Sequence, residues 1–164
     1  MASPTPTSGL AKTLDGARDI VANIAAWRTW TGAADVAAGK ARTYPIGAPS
    51  TVTRPFCLVD FEERAFGKIA EVAWRLDGDI VFYFEDAVSD DYTDSHADAW
   101  IDFLNNIGAM ETGIKGLAGT ESYLDLTQIT LLGQDLSRID KEDRQGGHPD
   151  VICGSIRGTY WGAG

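Results

Sequence analysis

Residues 72–86 read VAWRLDGDIVFYFED. Val72, Trp74 and Leu76 lead into Asp77-Gly78, and the run Ile80 to Phe84 leads away from it. Asp-Gly accepts the positive φ of a type I′ turn, so the pattern predicts a β-hairpin over about 69–86 that reverses at Asp77-Gly78. Just upstream, Phe56, Leu58 and Asp60 alternate with Cys57, Val59 and Phe61. Apolar residues on both faces of 54–61 predict an interior strand. Farther downstream, 123–132 and 151–161 are rich in β-branched and aromatic residues and predict two more strands.

Helical periodicity brackets these strands. Leu10, Leu14, Ala17, Val21 and Ile24 recur at spacings of four and three, widened by Ile20 and Trp27, with Ser8 placed to cap the N-terminus. Thr31-Gly32 interrupts the pattern before a short alanine-rich helix over 33–40. A second amphipathic helix is predicted over 93–115, with Trp100, Phe103, Leu104, Ile107, Met110 and Ile114 facing the core and Gly113, Gly116 and Gly119 loosening its end. The order α-(α)-β-β-β-α-β-β makes the expected fold α+β, a mixed and mainly antiparallel sheet with two amphipathic helices packed on it. At 164 residues the chain suits one domain, here 9–164 behind a flexible leader 1–8, with a charged loop over 133–149.

Charge narrows the function classes. The chain carries 14 Lys+Arg against 24 Asp+Glu, a net charge of −10, which disfavours a surface-wide grip on nucleic acid or an anionic membrane. Between Arg75 and Lys115 there is no basic residue and there are ten acidic ones. No apolar run approaches the roughly 20 residues of a membrane span, and the leader has no signal-peptide pattern, so a soluble protein made in a cytoplasm is expected. Cys57 and Cys153 lie in β-like apolar runs and are expected to be core thiols.

Motifs of common enzyme classes are missing. His96 and His148 do not stand at zinc-ligand spacing, Gly154-Ser155-Ile156-Arg157-Gly158 lacks a central serine, and no phosphate-binding loop or dinucleotide fingerprint occurs. No catalytic, cofactor-binding or metal-binding residue is assigned, and no enzymatic activity or cofactor is expected.

The element order resembles the tail-terminator (tail-completion, minor tail or neck) family of long-tailed bacteriophages. The likeness is carried by Leu14 to Trp30 followed by Gly32-Ala33-Ala34, by Ala41-Arg42-Thr43-Tyr44-Pro45, and by Arg54-Pro55-Phe56. Ile129-Thr130-Leu131-Leu132-Gly133 and Thr159-Tyr160-Trp161-Gly162 extend it. The resemblance implies a structural virion protein that forms a homo-oligomeric ring, commonly of six copies, and is assembled in the host cytoplasm. Such a ring caps the tail tube and joins it to the head-side connector or stopper protein, while DNA passes through its lumen without sequence-specific binding.

Within that reading, Asp94, Asp98 and Asp102 form a ridge at spacings of four residues and are the expected lumen-facing groups. Arg138, Asp140, Lys141, Glu142, Asp143 and Arg144, with Tyr160 and Trp161 of an exposed C-terminal strand, are the expected subunit contacts. The alternatives are another head-tail connector component, or a small α+β domain that binds a ligand or partner, with or without hydrolytic activity.

Overall fold

The computed structural model describes residues 5–45, 51–70, 73–88, 95–118, 128–135, 139–140 and 150–163. Three helices come first: α1 (Gly9–Asn23), α2 (Ala25–Thr31) and α3 (Val36–Lys40). Strands β1 (Thr43–Pro45), β2 (Phe56–Ala70) and β3 (Ala73–Val88) follow, then α4 (Ser95–Leu117), β4 (Gln128–Asp135), β5 (Ile139–Asp140) and β6 (Asp150–Ala163). The sheet order is β1-β2-β3-β6-β4, with β5 also on β6. Among the described residues only the β1–β2 pairing is parallel, so the fold is α+β with a mixed, mainly antiparallel sheet.

Register explains the core. Cys57, Val59 and Phe61 of β2, Ile80, Phe82 and Phe84 of β3, and Ile152, Ile156 and Tyr160 of β6 share one face of the sheet. All are buried against Ala17, Ile20 and Val21 of α1, Trp27 of α2, and Phe103, Ile107, Met110 and Ile114 of α4. β2 lies between β1 and β3 at its start, the interior position its two apolar faces predict.

The Asp77-Gly78 turn does not form. Both residues lie within β3, where Asp77 pairs with Ala65 on one side and Trp161 on the other, and Gly78 with Arg64 and Tyr160. The chain reverses instead between Ala70 and Ala73, which face each other in the ladder. Local turn preference is outweighed because β2 and β6 satisfy the backbone of 77–78 from both sides. Gly78 leaves its position on the sheet face without a side chain beside the buried Tyr160.

The first predicted helix is also divided. Ile24 is extended (φ −70°, ψ 120°) between α1 and α2, and Arg28 donates from Nη1 to the Ala22 carbonyl at 3.0 Å, covering an acceptor at the break. Ser8 caps α1 as expected, its hydroxyl accepting from the Ala11 N–H, and Gly32 closes α2 at φ 65°, where a residue with Cβ would be strained. Asp35 caps α3 through the Ala38 N–H at 2.8 Å.

The break places Ile24 against α4 at Gly113. A Cβ on Gly113 would stand 2.7–2.8 Å from three Ile24 side-chain carbons, so this glycine does not loosen the helix; it admits the Ile24 side chain. Overpacking costs about 1–3 kcal/mol, against about 1 kcal/mol gained from helix propensity, and two of the three clashing carbons, Cγ1 and Cγ2, are bonded directly to the Ile24 Cβ. Gly113→Ala should therefore lower stability in urea denaturation, and Ile24→Ala in the same chain should recover part of that loss. Additive effects of the two substitutions would refute the contact.

Candidate functional site

α4 presents two faces. Phe103, Ile107, Met110 and Ile114 are buried at spacings of four, three and four, with Trp100 stacked on Phe103 at 6.0 Å. Leu104, expected in the seam, is instead 37 % exposed beside Ile101 at 55 %, because the buried stripe is narrower than the sequence pattern suggests. Asp98 and Asp102 are exposed on the polar side, one turn apart. Asp94 lies outside the described residues.

Other expected contact residues are placed differently. Arg138, Lys141, Glu142, Asp143 and Arg144 lie outside the described residues, whereas Asp140 is in β5 opposite Val151. The C-terminal strand β6 is not an exposed edge, since β3 flanks one side and β4 and β5 the other. Trp161 sits in register between Asp77 and Gln128. Tyr160 is fully buried, its ring centroid 5.1 Å from that of Phe61, and so cannot serve as a subunit contact in the folded chain. Alternation alone identifies a strand but not its neighbours, which is why the edge was misplaced.

The polar face of α4 borders a cleft that sequence spacing did not reveal. The ends of α2, β3 and β6 meet α4 around a cavity of about 280 Å³, bounded by Trp30, Asp86, Asp102, Phe103, Asn106 and Ile152 among others. Asp86 falls on the helix-covered face of β3, two residues after Phe84, and would otherwise project toward apolar neighbours. Its Oδ2 accepts from Trp30 Nε1 at 2.7 Å and its Oδ1 from the Ala87 N–H at 2.8 Å. Trp30 is fixed in turn by edge contacts with Trp27 at 5.6 Å and Phe103 at 5.6 Å, and by stacking on Phe84 at 5.8 Å.

Burial raises the Asp86 pKa, opposed by the Trp30 and Ala87 hydrogen bonds and by the charge of Arg54. Arg54 is itself held by Glu85, Nε to Oε1 at 2.6 Å. Among the described residues, neither Asp86 nor Asp102 forms an ion pair. Cys57 and Cys153 are buried, as expected of core thiols; burial pushes the Cys57 thiol up, which keeps it protonated and unreactive. No group of three or more His, Cys, Asp or Glu residues among those described is arranged to hold a metal ion. No helix among the described residues is long and apolar enough to cross a membrane.

The Asp86 shift predicts a pH signature. A carboxyl whose folded pKa is raised binds its proton more tightly in the native than in the unfolded chain, so stability from this group falls as pH rises above the ordinary value of 3.8. Asp86→Asn removes that dependence while keeping an acceptor for Trp30. The stability of Asp86→Asn relative to the parent chain should improve between pH 3.8 and neutrality, measured as urea midpoints across pH. A constant difference across that range would contradict the burial of this charge.

The sequence matches no protein-family model and no curated protein significantly.

Proposed function

We propose that the chain is the subunit of a tail-terminator ring of a long-tailed bacteriophage, capping the tail tube and joining it to the head-side connector. The reading rests first on the element order, helices followed by three strands, a long helix and the closing strands of one mixed sheet. The observation that favours it most is the exposure of Asp98 and Asp102 on the polar face of a core-anchored helix. Carboxylates on a rigid wall repel phosphates without releasing counterions, which is what a conduit for sliding DNA requires. In a narrow channel this repulsion acts within the screening length of about 8 Å at physiological salt. The ring is a structural component of the virion neck, and its assembly takes place in the host cytoplasm.

Native mass spectrometry and electron microscopy of the purified chain, alone and mixed with tail tubes, test the reading. The expected result is a closed ring with α4 turned toward its lumen. A chain that stays monomeric in both conditions would overturn the proposal, and a ring with Asp98 and Asp102 on its outer wall would reject the lumen role. If the acids line the lumen, replacing both with lysine should slow DNA passage and make infectivity depend on salt.

A further inference from the structure

The cleft between α2, α4 and the ends of β3 and β6 combines features that a bare acidic surface lacks. Its walls are aromatic and aliphatic, from Trp30, Phe103 and Ile152, and two carboxylates and one amide open into it, from Asp86, Asp102 and Asn106. Asp86 is partly buried, and its described hydrogen-bond partners are neutral N–H groups. Arg54, whose charge reaches Asp86, is engaged by Glu85 and lies over the Phe56 ring at 5.9 Å. Asp98 stands one turn before Asp102 on the same polar face.

We infer that this cleft receives the cationic side chain of a lysine or arginine from a partner protein. The volume argues for one side chain, since about 280 Å³ falls just below the roughly 300–1,000 Å³ of typical small-molecule sites. Charge complementarity sets the ligand class. A cation in the cleft pairs with Asp86 and Asp102, and its methylene stem lies against the apolar part of the lining, which includes the partly buried Trp30 and Ala99. Trp30 acts as the positioning residue, holding the Asp86 carboxylate through its indole N–H. The inference stands apart from the ring reading, for a monomeric chain would carry the same cleft.

Titration of the isotopically labelled full chain, followed by NMR at the Trp30 indole N–H, provides the test. Trp30→Phe assigns that resonance. The probes are N-acetyl-arginine amide and N-acetyl-lysine amide, with N-acetyl-citrulline amide and N-acetyl-norleucine amide as neutral counterparts. Saturable shifts are expected with the cationic pair alone, and the tighter of the two identifies the side chain preferred. Asp86→Asn should weaken binding by about tenfold or more, as expected for losing a hydrogen bond to a charged group, with the remaining indole resonances unmoved. Asp102→Asn should weaken it less, because Asp102 is exposed. The inference is overturned by the absence of saturable shifts, by equal binding of the neutral probes, or by undiminished binding to Asp86→Asn. Binding that emerges only after Arg138, Lys141 and Arg144 are replaced by glutamine would assign the cleft to the chain's own segment and likewise overturn it.

Discussion

Trp27→Ala should cost about 3–5 kcal/mol, toward the upper end of that range, and leave a chain folded only marginally at room temperature. Trp27 is fully buried and ties three parts of the molecule together. Its ring meets Trp30 at 5.6 Å and Phe84 of the sheet at 5.7 Å, while its Nε1 donates to the Gly39 carbonyl at 3.0 Å, at the end of α3. That carbonyl also accepts from the Arg42 N–H and the Thr43 hydroxyl, both at 3.2 Å, just where β1 begins. Removing the indole therefore opens a cavity and weakens the joint between the helical layer and the first strand. Urea denaturation followed by far-UV circular dichroism measures the loss. Trp27→Phe, which keeps much of the ring and drops the donor, should lose less. Equal losses for the two substitutions would show that ring volume contributes little.

Phe103→Ala is the second large effect, again about 3–5 kcal/mol. Phe103 is 2 % exposed, with Trp30 edge-on at 5.6 Å and Trp100 stacked at 6.0 Å. It is the residue through which α4 grips both α2 and the floor of the cleft, so its removal should also broaden the Trp30 indole resonance. Leu104, its immediate neighbour, gives the contrast: it is 37 % exposed, and Leu104→Ala should change stability by about 0.5 kcal/mol or less. A thermal midpoint unaffected by Phe103→Ala would contradict the orientation of α4.

These neighbours show how far the sequence could be read. Helical spacing identified α4 and four of its buried residues, because a stripe at three and four residues has one geometric solution. It misassigned Leu104 because periodicity gives the direction of the core and not its width. Cys57, Val59 and Phe61 were legible as a strand, but the continuation of β2 through Glu62, Glu63 and Arg64 was hidden by charge, and β3 was divided by a turn signal that pairing on both sides overrides. The three-residue β1 carries too little pattern to be seen at all. The cleft was invisible for another reason. Trp30 and Asp86 are 56 positions apart, and only the packing of α2 over the end of β3 brings indole and carboxylate into hydrogen-bond distance.

β3 pairs along its length with β6, from Arg75 opposite Ala163 to Val88 opposite Asp150, while α4, β4 and β5 lie between them in the chain. The ladder at the centre of the sheet is thus its most distant pairing in sequence, and loop-closure entropy must be met before that ladder returns any stabilisation. The β2–β3 hairpin, closed near Ala70 and Ala73, has no such delay. Folding is then expected to be paced by β6 docking onto a hairpin already in place. In φ-value measurements, substitutions at Val59 and Phe82 should slow refolding, whereas Ile156→Val should act mainly on the unfolding rate. Until β6 docks, one edge of β3 stands open to other chains, so the hazard of misassembly is set by how quickly that docking occurs and not by the final stability of the fold.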